Sequence, residues 1–179
     1  MDEEVLMGAK KAERDADFNA FVTGAWPRLM RTAFLLTGDR YLAEDVVQTA
    51  LERTYAAWGR VTKADEPYAY VRRIVINEHA RRFRRRVPEQ LVTAVPERSG
   101  PDGFARLDER AALLEALGTL PPGQRQAVVL RYWEDLSESQ AAAAMGCSVG
   151  TVKSQASKGI AKLRELSSLI TMTSIGGAA

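Results

Sequence analysis

Apolar residues recur at helical spacing along most of this 179-residue chain, and no segment shows the strict alternation typical of a half-buried strand. Apolar positions three and four residues apart mark helix faces within 26–36, 43–58, 104–117 and 122–133. A further helix is predicted to open at Pro67, because proline is favoured in the first turn of a helix. The pattern therefore predicts an all-α fold.

Proline and glycine divide this helical pattern into two parts. Residues 88–104 carry three prolines and two glycines, a composition typical of a linker. We therefore predict two helical domains, at 16–87 and 105–170, joined by a flexible linker. Residues up to about Asp17 are polar and are predicted to be frayed, and 171–179 are predicted to form a disordered tail.

The second predicted domain contains the local signals of a helix-turn-helix. Ser137 and Gln140 have the spacing of a capping box, and Gly146 is suited to the left-handed conformation that ends a helix. Ser148 can cap the next helix, whose Val152 is expected to pack inward. This order of cap, turn and packing residues predicts a helix-turn-helix.

The outward face of the second helix of this motif favours DNA. It carries hydroxyl, amide and ammonium groups and no carboxylate before Glu165. Such groups contact phosphates and read base edges in the major groove. The predicted DNA-reading residues are Thr151, Lys153, Ser154, Gln155, Ser157 and Lys158. The alternative is a solvated helix in an ordinary bundle.

The helix that opens at Pro67 concentrates basic charge. The net charge of the chain is only +2, but seven arginines lie between Pro67 and Pro88 against one carboxylate, that of Glu78. Three aromatic residues lie among them: Tyr68, Tyr70 and Phe83. Arginines follow a phosphate backbone and aromatic rings stack on unpaired bases, so the mixture fits single-stranded or opened DNA at least as well as closed duplex. Alternatively, the rings belong to the core and the arginines bind nucleic acid nonspecifically.

Other groups carry less chemistry. Asp45, Gln48 and Glu52 form a polar stripe on the second helix, and composition alone favours a solvated face. The single cysteine, Cys147, and the single histidine, His79, provide no ligand set for a metal, and His79 is expected on a helix surface. Without a phosphate-binding loop or an activated nucleophile, we expect neither a cofactor nor enzymatic activity.

The location of the protein is also indicated by composition. No segment reaches the roughly 18 apolar residues of a membrane span. The N-terminus has acidic residues where a signal peptide has basic ones, and it lacks an apolar core. We therefore expect a cytoplasmic protein that does not contact a membrane.

Taken in order, these features resemble a bacterial extracytoplasmic-function (ECF) sigma factor of RNA polymerase. Residues 36–58, LTGDRYLAEDVVQTALERTYAAW, resemble regions 2.1 and 2.2 of that family. Residues 66–86, EPYAYVRRIVINEHARRFRRR, resemble regions 2.3 and 2.4. Residues 120–166, which include the helix-turn-helix, resemble region 4. The likeness covers almost the whole chain apart from its first residues, the linker and the tail.

The resemblance implies roles for the residues described above. Core RNA polymerase would be bound through its β′ clamp helices and its β flap, with the β′ contact made by Asp45, Gln48 and Glu52. The −10 element would be recognised and held open by Tyr70, Arg73, Asn77, Arg81, Arg82, Arg84 and Arg85. The −35 element would be read by the helix-turn-helix face, in which Gln155 stands where many relatives carry arginine. The family also suggests an anti-sigma protein as a partner.

Two alternatives to this reading remain open. A self-standing helix-turn-helix repressor or activator explains the second domain but not the basic aromatic helix. A module that only sequesters another regulator fits the basic recognition face poorly. At the C-terminus, Ala178 and Ala179 resemble a tag for a cytoplasmic unfoldase-protease, and the alternative there is a tail without function.

Overall fold

The structure is a computed structural model that describes residues 3–63, 66–86 and 104–176, and these ranges contain helices and no strand. The helices are α1 Glu3–Thr37, α2 Arg40–Ala56, α3 Trp58–Val61, α4 Pro67–Arg86, α5 Phe104–Gly118, α6 Pro122–Val128, α7 Glu138–Met145 and α8 Val149–Gly176. A π-helical turn, Val129–Trp133, continues α6. The predicted all-α fold is confirmed.

In the first half, α1, α2 and α4 pack against one another. Gly38 ends α1 with a φ of 71°, and the Asp39 side chain caps α2 by accepting a hydrogen bond from the Leu42 amide at 2.8 Å. The two helices therefore reverse direction within a short turn. Their facing sides bury small and branched residues, among them Ala33, Val46 and Val47.

In the second half, α7 and α8 form the helix-turn-helix, and α6 packs against α8. The Ser137 and Gln140 capping box is present, Gly146 adopts a φ of 65°, and the Ser148 hydroxyl accepts from the Thr151 amide at 3.1 Å. Gly159 brings α8 against α6, because a β-carbon at that position would lie only 2.7 Å from Val128 Cγ2. The predicted motif is confirmed in its details.

Both ends of the described chain are more helical than predicted. Helix α1 begins at Glu3, where residues up to Asp17 were expected to fray. Within that segment Arg14 and Asp15 bind Tyr55 of α2, and Asp17 binds Trp58 of α3. Helix α8 continues to Gly176 through the first part of the expected tail, since 166–175 contain neither proline nor glycine. Most of the predicted linker, and Ala178 and Ala179, lie outside the described residues.

The two halves share one hydrophobic core. A single buried cluster joins residues of α1, α2 and α4 with residues of α6, α7 and α8. Helix α4 packs on α7, and α1 packs on α5, α6 and the π-helical turn. The two predicted helical units are present, and because they share this core they contact each other closely. No helix in the described ranges is long and apolar enough to cross a membrane.

Candidate nucleic-acid interface

The recognition helix α8 presents most of the predicted residues on one exposed side. Val152 and Ala156 are buried against the rest of the helix-turn-helix, which turns the opposite face outward. The residues exposed there are Thr151, Lys153, Ser154, Ser157 and Lys158. Lys153 forms an ion pair with Glu138 of α7 at 3.3 Å, and this pair ties the two helices of the motif together.

Gln155 differs from the other five residues in its position. Its side chain is half-buried and lies against Gly123 at the start of α6, where an added β-carbon would stand 3.4 Å from Gln155 Cδ. The amide therefore lies toward one edge of the reading face. Its amide is uncharged, so at this edge it can offer hydrogen bonds but no ionic contact.

The polar residues of helix α4 differ in their surroundings. Tyr70, Arg73 and Asn77 are exposed and recur at i, i+3 and i+7, so they share one face. Arg81 donates to the buried Glu78 carboxylate at 2.6 Å, and Arg82 pairs with Asp45 of α2 at 2.5 Å. The side chains of 84–85 lie outside the described residues.

Two residues of α4 are buried where the sequence indicated a surface. Arg72, counted within the basic cluster, is only 7% exposed and turns toward the second half. His79, expected on a helix surface, is 6% exposed, and Gln126 Nε2 lies 3.2 Å from its Nδ1. Burial, aided by the charge of Arg125, lowers the pKa of His79 to about 4, so the ring is neutral at pH 7. Both corrections arise because α4 packs against α6 and α7.

The polar stripe of α2 is a continuous exposed surface. Asp45, Gln48 and Glu52 are all exposed, while Val46 and Val47 between them are buried. The stripe lies beside the basic face of α4, because Asp45 and Arg82 join the two helices. A partner that binds Asp45 therefore meets a carboxylate that already holds an arginine.

The sequence did not predict a cluster of polar and aromatic side chains in the N-terminal part of α1. Arg14 donates to the Tyr55 carbonyl, and its guanidinium lies 4.7 Å from the centre of the Tyr55 ring. The Tyr55 hydroxyl donates to Asp15, which raises the pKa of that phenol, and Trp58 Nε1 donates to Asp17 at 3.1 Å. Phe18 packs edge-on against both rings. The apolar spacing of 18, 21 and 22 was the available signal that α1 begins earlier.

The sequence also did not predict that a carboxylate, that of Glu134, is buried between the two halves. Glu134 follows the π-helical turn, and its side chain is fully buried among Arg28, Arg72, Thr32 and Tyr68, all from the first half. Nothing in the local sequence distinguishes this acid from an exposed one. Its partners lie more than 60 residues away along the chain.

The fold and these faces define a class of protein. It is a helical DNA-binding protein with two separate polar faces, one on a helix-turn-helix and one on a basic aromatic helix. An exposed, partly acidic stripe adjoins the second face.

Comparison with known proteins identifies the family. Residues 21–88 match the model of Sigma-70 region 2, and residues 110–163 match Sigma-70, region 4. The RNA polymerase sigma-E factor of Streptomyces avermitilis is 39% identical over 150 residues, covering 83% of this chain and 84% of the relative. The ECF RNA polymerase sigma factor SigL of Mycobacterium tuberculosis is 32% identical over 142 residues, covering 76% and 80%.

Solved structures also have this fold. The sigma factor RpoE, in complex with the anti-sigma factor NepR from Bartonella quintana, superposes with a TM-score of 0.71 at 28% identity, covering 84% of this chain and 96% of that one. CnrH, in complex with the cytosolic domain of CnrY, gives a TM-score of 0.62 at 25% identity, covering 87% and 90%. The chain belongs to the ECF sigma factors, the alternative initiation factors that direct core RNA polymerase to promoters.

Proposed function

We propose that this sigma factor docks on the β′ clamp helices of core polymerase through Asp45, Gln48 and Glu52. The observation that supports this is the exposed stripe itself, which stands on a helix whose opposite side is fully buried. A carboxylate, an amide and a second carboxylate at i, i+3 and i+7 offer acceptors along one line, which suits a basic partner helix.

The −10 contact is assigned to the exposed face of α4. Tyr70 offers a stacking surface, Arg73 a phosphate contact, and Asn77 an amide that can hydrogen-bond an extruded base. Arg81 and Arg82 lie beside this face and are held by Glu78 and Asp45. They contribute positive potential next to the DNA path, together with the side chains at 84 and 85 that the sequence places on the same helix.

The −35 contact is assigned to α8, with the second domain placed on the β flap of the polymerase. Ser154 and Lys158 lie one helical turn apart on the exposed face, so they can enter the groove together. Lys153 and Ser157 form the neighbouring row beside α7. Thr151 is near the N-terminus of the helix, where a hydroxyl suits a phosphate.

Core binding is tested with charge reversal. Asp45→Lys combined with Gln48→Ala is expected to lower core affinity at least tenfold, because the stripe then presents a cation to a basic partner. Glu115→Lys reverses an exposed acid on α5 and is expected to leave core affinity unchanged. Equal affinity for the two variants would refute the assignment of the stripe.

Promoter selection is tested by run-off transcription from a genomic promoter library with purified core polymerase. New start sites are expected only when the protein and core are both present, and their alignment should give two elements. Ser154→Ala and Lys158→Ala are expected to reduce initiation through the −35 element, and Lys158→Ala should also lower the salt dependence of binding by about one unit of slope. DNA binding without core, and no new starts, would favour a self-standing repressor or activator.

Two regulatory partners belong to the same proposal. The neighbours RpoE and CnrH were solved with NepR and CnrY bound, which supports an anti-sigma protein as a partner of this chain in the cytoplasm. Ala178 and Ala179 are proposed as a signal for an unfoldase-protease. Replacing both with aspartate should lengthen the half-life of the protein in cells, and an unchanged half-life would remove that role.

A further inference from the structure

Glu78 is a buried carboxylate that joins α2 and α4 within the first half of the molecule. Its side chain is only 2% exposed, and it contacts an arginine from each of the two helices. Arg53 Nη1 of α2 lies 2.5 Å from Glu78 Oε1. Arg81 of α4 donates to Glu78 Oε2 from Nε at 3.2 Å and from Nη2 at 2.6 Å. Because each carboxylate oxygen binds a different arginine, one buried group holds two guanidinium groups next to each other.

Both arginines also keep much of their surface in solvent. The Arg53 side chain is 52% exposed and the Arg81 side chain is 42% exposed. The contacts to Glu78 use one nitrogen of Arg53 and two nitrogens of Arg81. A guanidinium group has more N–H donors than these contacts use. Each arginine can therefore donate to a second acceptor outside the protein while it stays bound to Glu78.

The two arginines lie at the edge of the α4 face that is assigned to the −10 element. Arg81 follows Asn77 by four residues, so the two side chains are neighbours one turn apart on α4. Arg53 follows Glu52 of the polymerase stripe on α2, but its guanidinium is turned toward α4 by Glu78. A second helix thus contributes an arginine beside a DNA path that is otherwise assigned to α4.

The charge of this cluster favours an anion as its ligand. Two guanidinium groups share one carboxylate, so one positive charge is left without compensation within the cluster. Arginine binds phosphate well, because its planar N–H groups match the oxygens of a phosphate. A basic partner helix, as proposed for the neighbouring stripe, would be repelled here. The cluster therefore suits the backbone of DNA better than it suits the polymerase.

We propose that Arg53 and Arg81 form a phosphate-binding pair for the backbone of the opened −10 strand, with Glu78 as the positioning residue that aligns them. The pair rests on the proposed function, because it needs α4 to face the −10 DNA. Arg53 is then a DNA-binding residue on a helix whose other polar residues face the polymerase. Because Glu78 holds both side chains before DNA arrives, less side-chain entropy is lost when the phosphate binds.

A positioning role for Glu78 predicts the opposite of a purely electrostatic one. Glu78→Gln keeps the shape of the side chain and removes a negative charge close to the DNA path. If the carboxylate acted only through its charge, its removal would tighten DNA binding. If it positions the arginines, its removal weakens binding, because both side chains then occupy many conformations. We expect Glu78→Gln to weaken binding about fivefold, although the variant is more basic than the wild type.

The test measures how holoenzyme, assembled from core polymerase and the full-length chain, binds a promoter fragment whose −10 segment is single-stranded. The fragment comes from a promoter that the run-off experiment selects. Arg53→Ala is expected to weaken binding about tenfold, as for one charge-assisted contact, and to lower the salt slope by about 0.7. Arg40→Ala is the matched control, because it removes an exposed arginine from the first turn of the same helix, and it should change neither quantity.

Neutral methylphosphonate linkages identify the phosphate that the pair contacts. They are introduced one at a time along the single-stranded segment. At the contacted position, the linkage should weaken binding by the wild type and have no further effect on Arg53→Ala, because both changes remove the same contact. The affinity of the chain for core polymerase is measured separately and should be the same for Arg53→Ala and the wild type.

Four results would overturn the phosphate-binding pair. They are DNA binding by Arg53→Ala equal to that of Arg40→Ala, tighter DNA binding by Glu78→Gln, a methylphosphonate scan in which no position is coupled to Arg53, and a loss of core affinity in Arg53→Ala. If circular dichroism shows that Glu78→Gln does not fold, Arg53→Ala and the methylphosphonate scan decide the question. Wild-type holoenzyme that selects no promoter would refute the proposed function itself, and this result would be seen before any variant is compared.

Discussion

Gly159 allows the recognition helix to lie against α6, and replacing it with alanine gives a sharp test of this packing. In a helix interior that is otherwise open, glycine to alanine stabilises a protein by about 0.5–1 kcal/mol, because alanine restricts the unfolded chain. At Gly159 the new methyl group would stand 2.7 Å from Val128 Cγ2 and 3.3 Å from the Gln124 carbonyl oxygen. The first contact is impossible without movement, and the second is to backbone.

The magnitude follows from these two opposing effects. Overpacking of this kind costs about 1–3 kcal/mol, which exceeds the gain in helix propensity. We therefore expect Gly159→Ala to lower the free energy of unfolding by about 1–2 kcal/mol. Gly150→Ala is the matched control on the same helix, because its nearest neighbour would be Ser148 Oγ at 3.8 Å. That variant is expected to be neutral or more stable.

The assay is urea denaturation of the full-length chain, followed by circular dichroism, for the wild type and both variants. Val128→Ala added to Gly159→Ala should restore part of the lost stability, since it removes the methyl group in the closest contact. The same variants should be assayed for −35 DNA binding, which is expected to weaken with Gly159→Ala because α8 is displaced. If Gly159→Ala proved as stable as Gly150→Ala, the described packing of α6 on α8 would be wrong.

Three further predictions concern single positions. Asp135 has a φ of 52°, a conformation that costs a residue with a side chain about 1 kcal/mol. Asp135→Gly should therefore raise the melting temperature by a few degrees. A lower melting temperature would show that the backbone at Asp135 is not strained. Asp17→Ala removes the acceptor of Trp58 Nε1 and should cost about 0.5–1.5 kcal/mol in urea denaturation, whereas Glu13→Ala on the exposed side should cost nothing measurable. The pKa of His79 is about 4 in the folded protein and about 6.5 in an unfolded chain, so between these pH values the unfolded chain binds more protons than the folded protein. Stability should therefore fall as the pH drops from about 6.5 to 4, by up to about 3 kcal/mol in total, and His79→Gln should flatten this dependence in urea titrations at several pH values.

Asp45 and Arg82 connect two of the proposed surfaces in a way that bears on mechanism. The pair joins a carboxylate proposed to contact polymerase with a guanidinium proposed to lie near the −10 DNA. Both side chains are partly exposed, so the pair itself contributes little stability in water. The pair can therefore break at little cost. In the proposed function, Asp45 would then contact the polymerase and Arg82 would contact the −10 DNA.

The features that could be predicted from the sequence are those that depend on near neighbours along the chain. The caps and the turn of the helix-turn-helix involve backbone groups only a few residues away along the chain. The structure confirms the predicted cap and turn residues, which are Ser137, Gln140, Gly146 and Ser148. The exposed faces of α2 and, apart from the half-buried Gln155, of α8 followed from helical periodicity, because spacing sets the direction of a residue on a helix. On α4, periodicity placed Tyr70, Arg73 and Asn77 on one face but did not reveal that Arg72 and His79 are buried. The family resemblance assigned roles to faces that were already recognisable.

Only the tertiary structure decided which polar groups are buried. Arg72 and Arg73 are adjacent arginines in the sequence, yet one is buried against Glu134 and the other is exposed. Glu134 and Arg28 are separated by 106 positions, so no local pattern distinguishes either from an ordinary surface charge. Burial of a charge depends on which partner a distant element delivers, because only a matched partner offsets the loss of water. Helix positions and caps are thus local properties of this chain, whereas its closed arrangement results from the packing of its two halves.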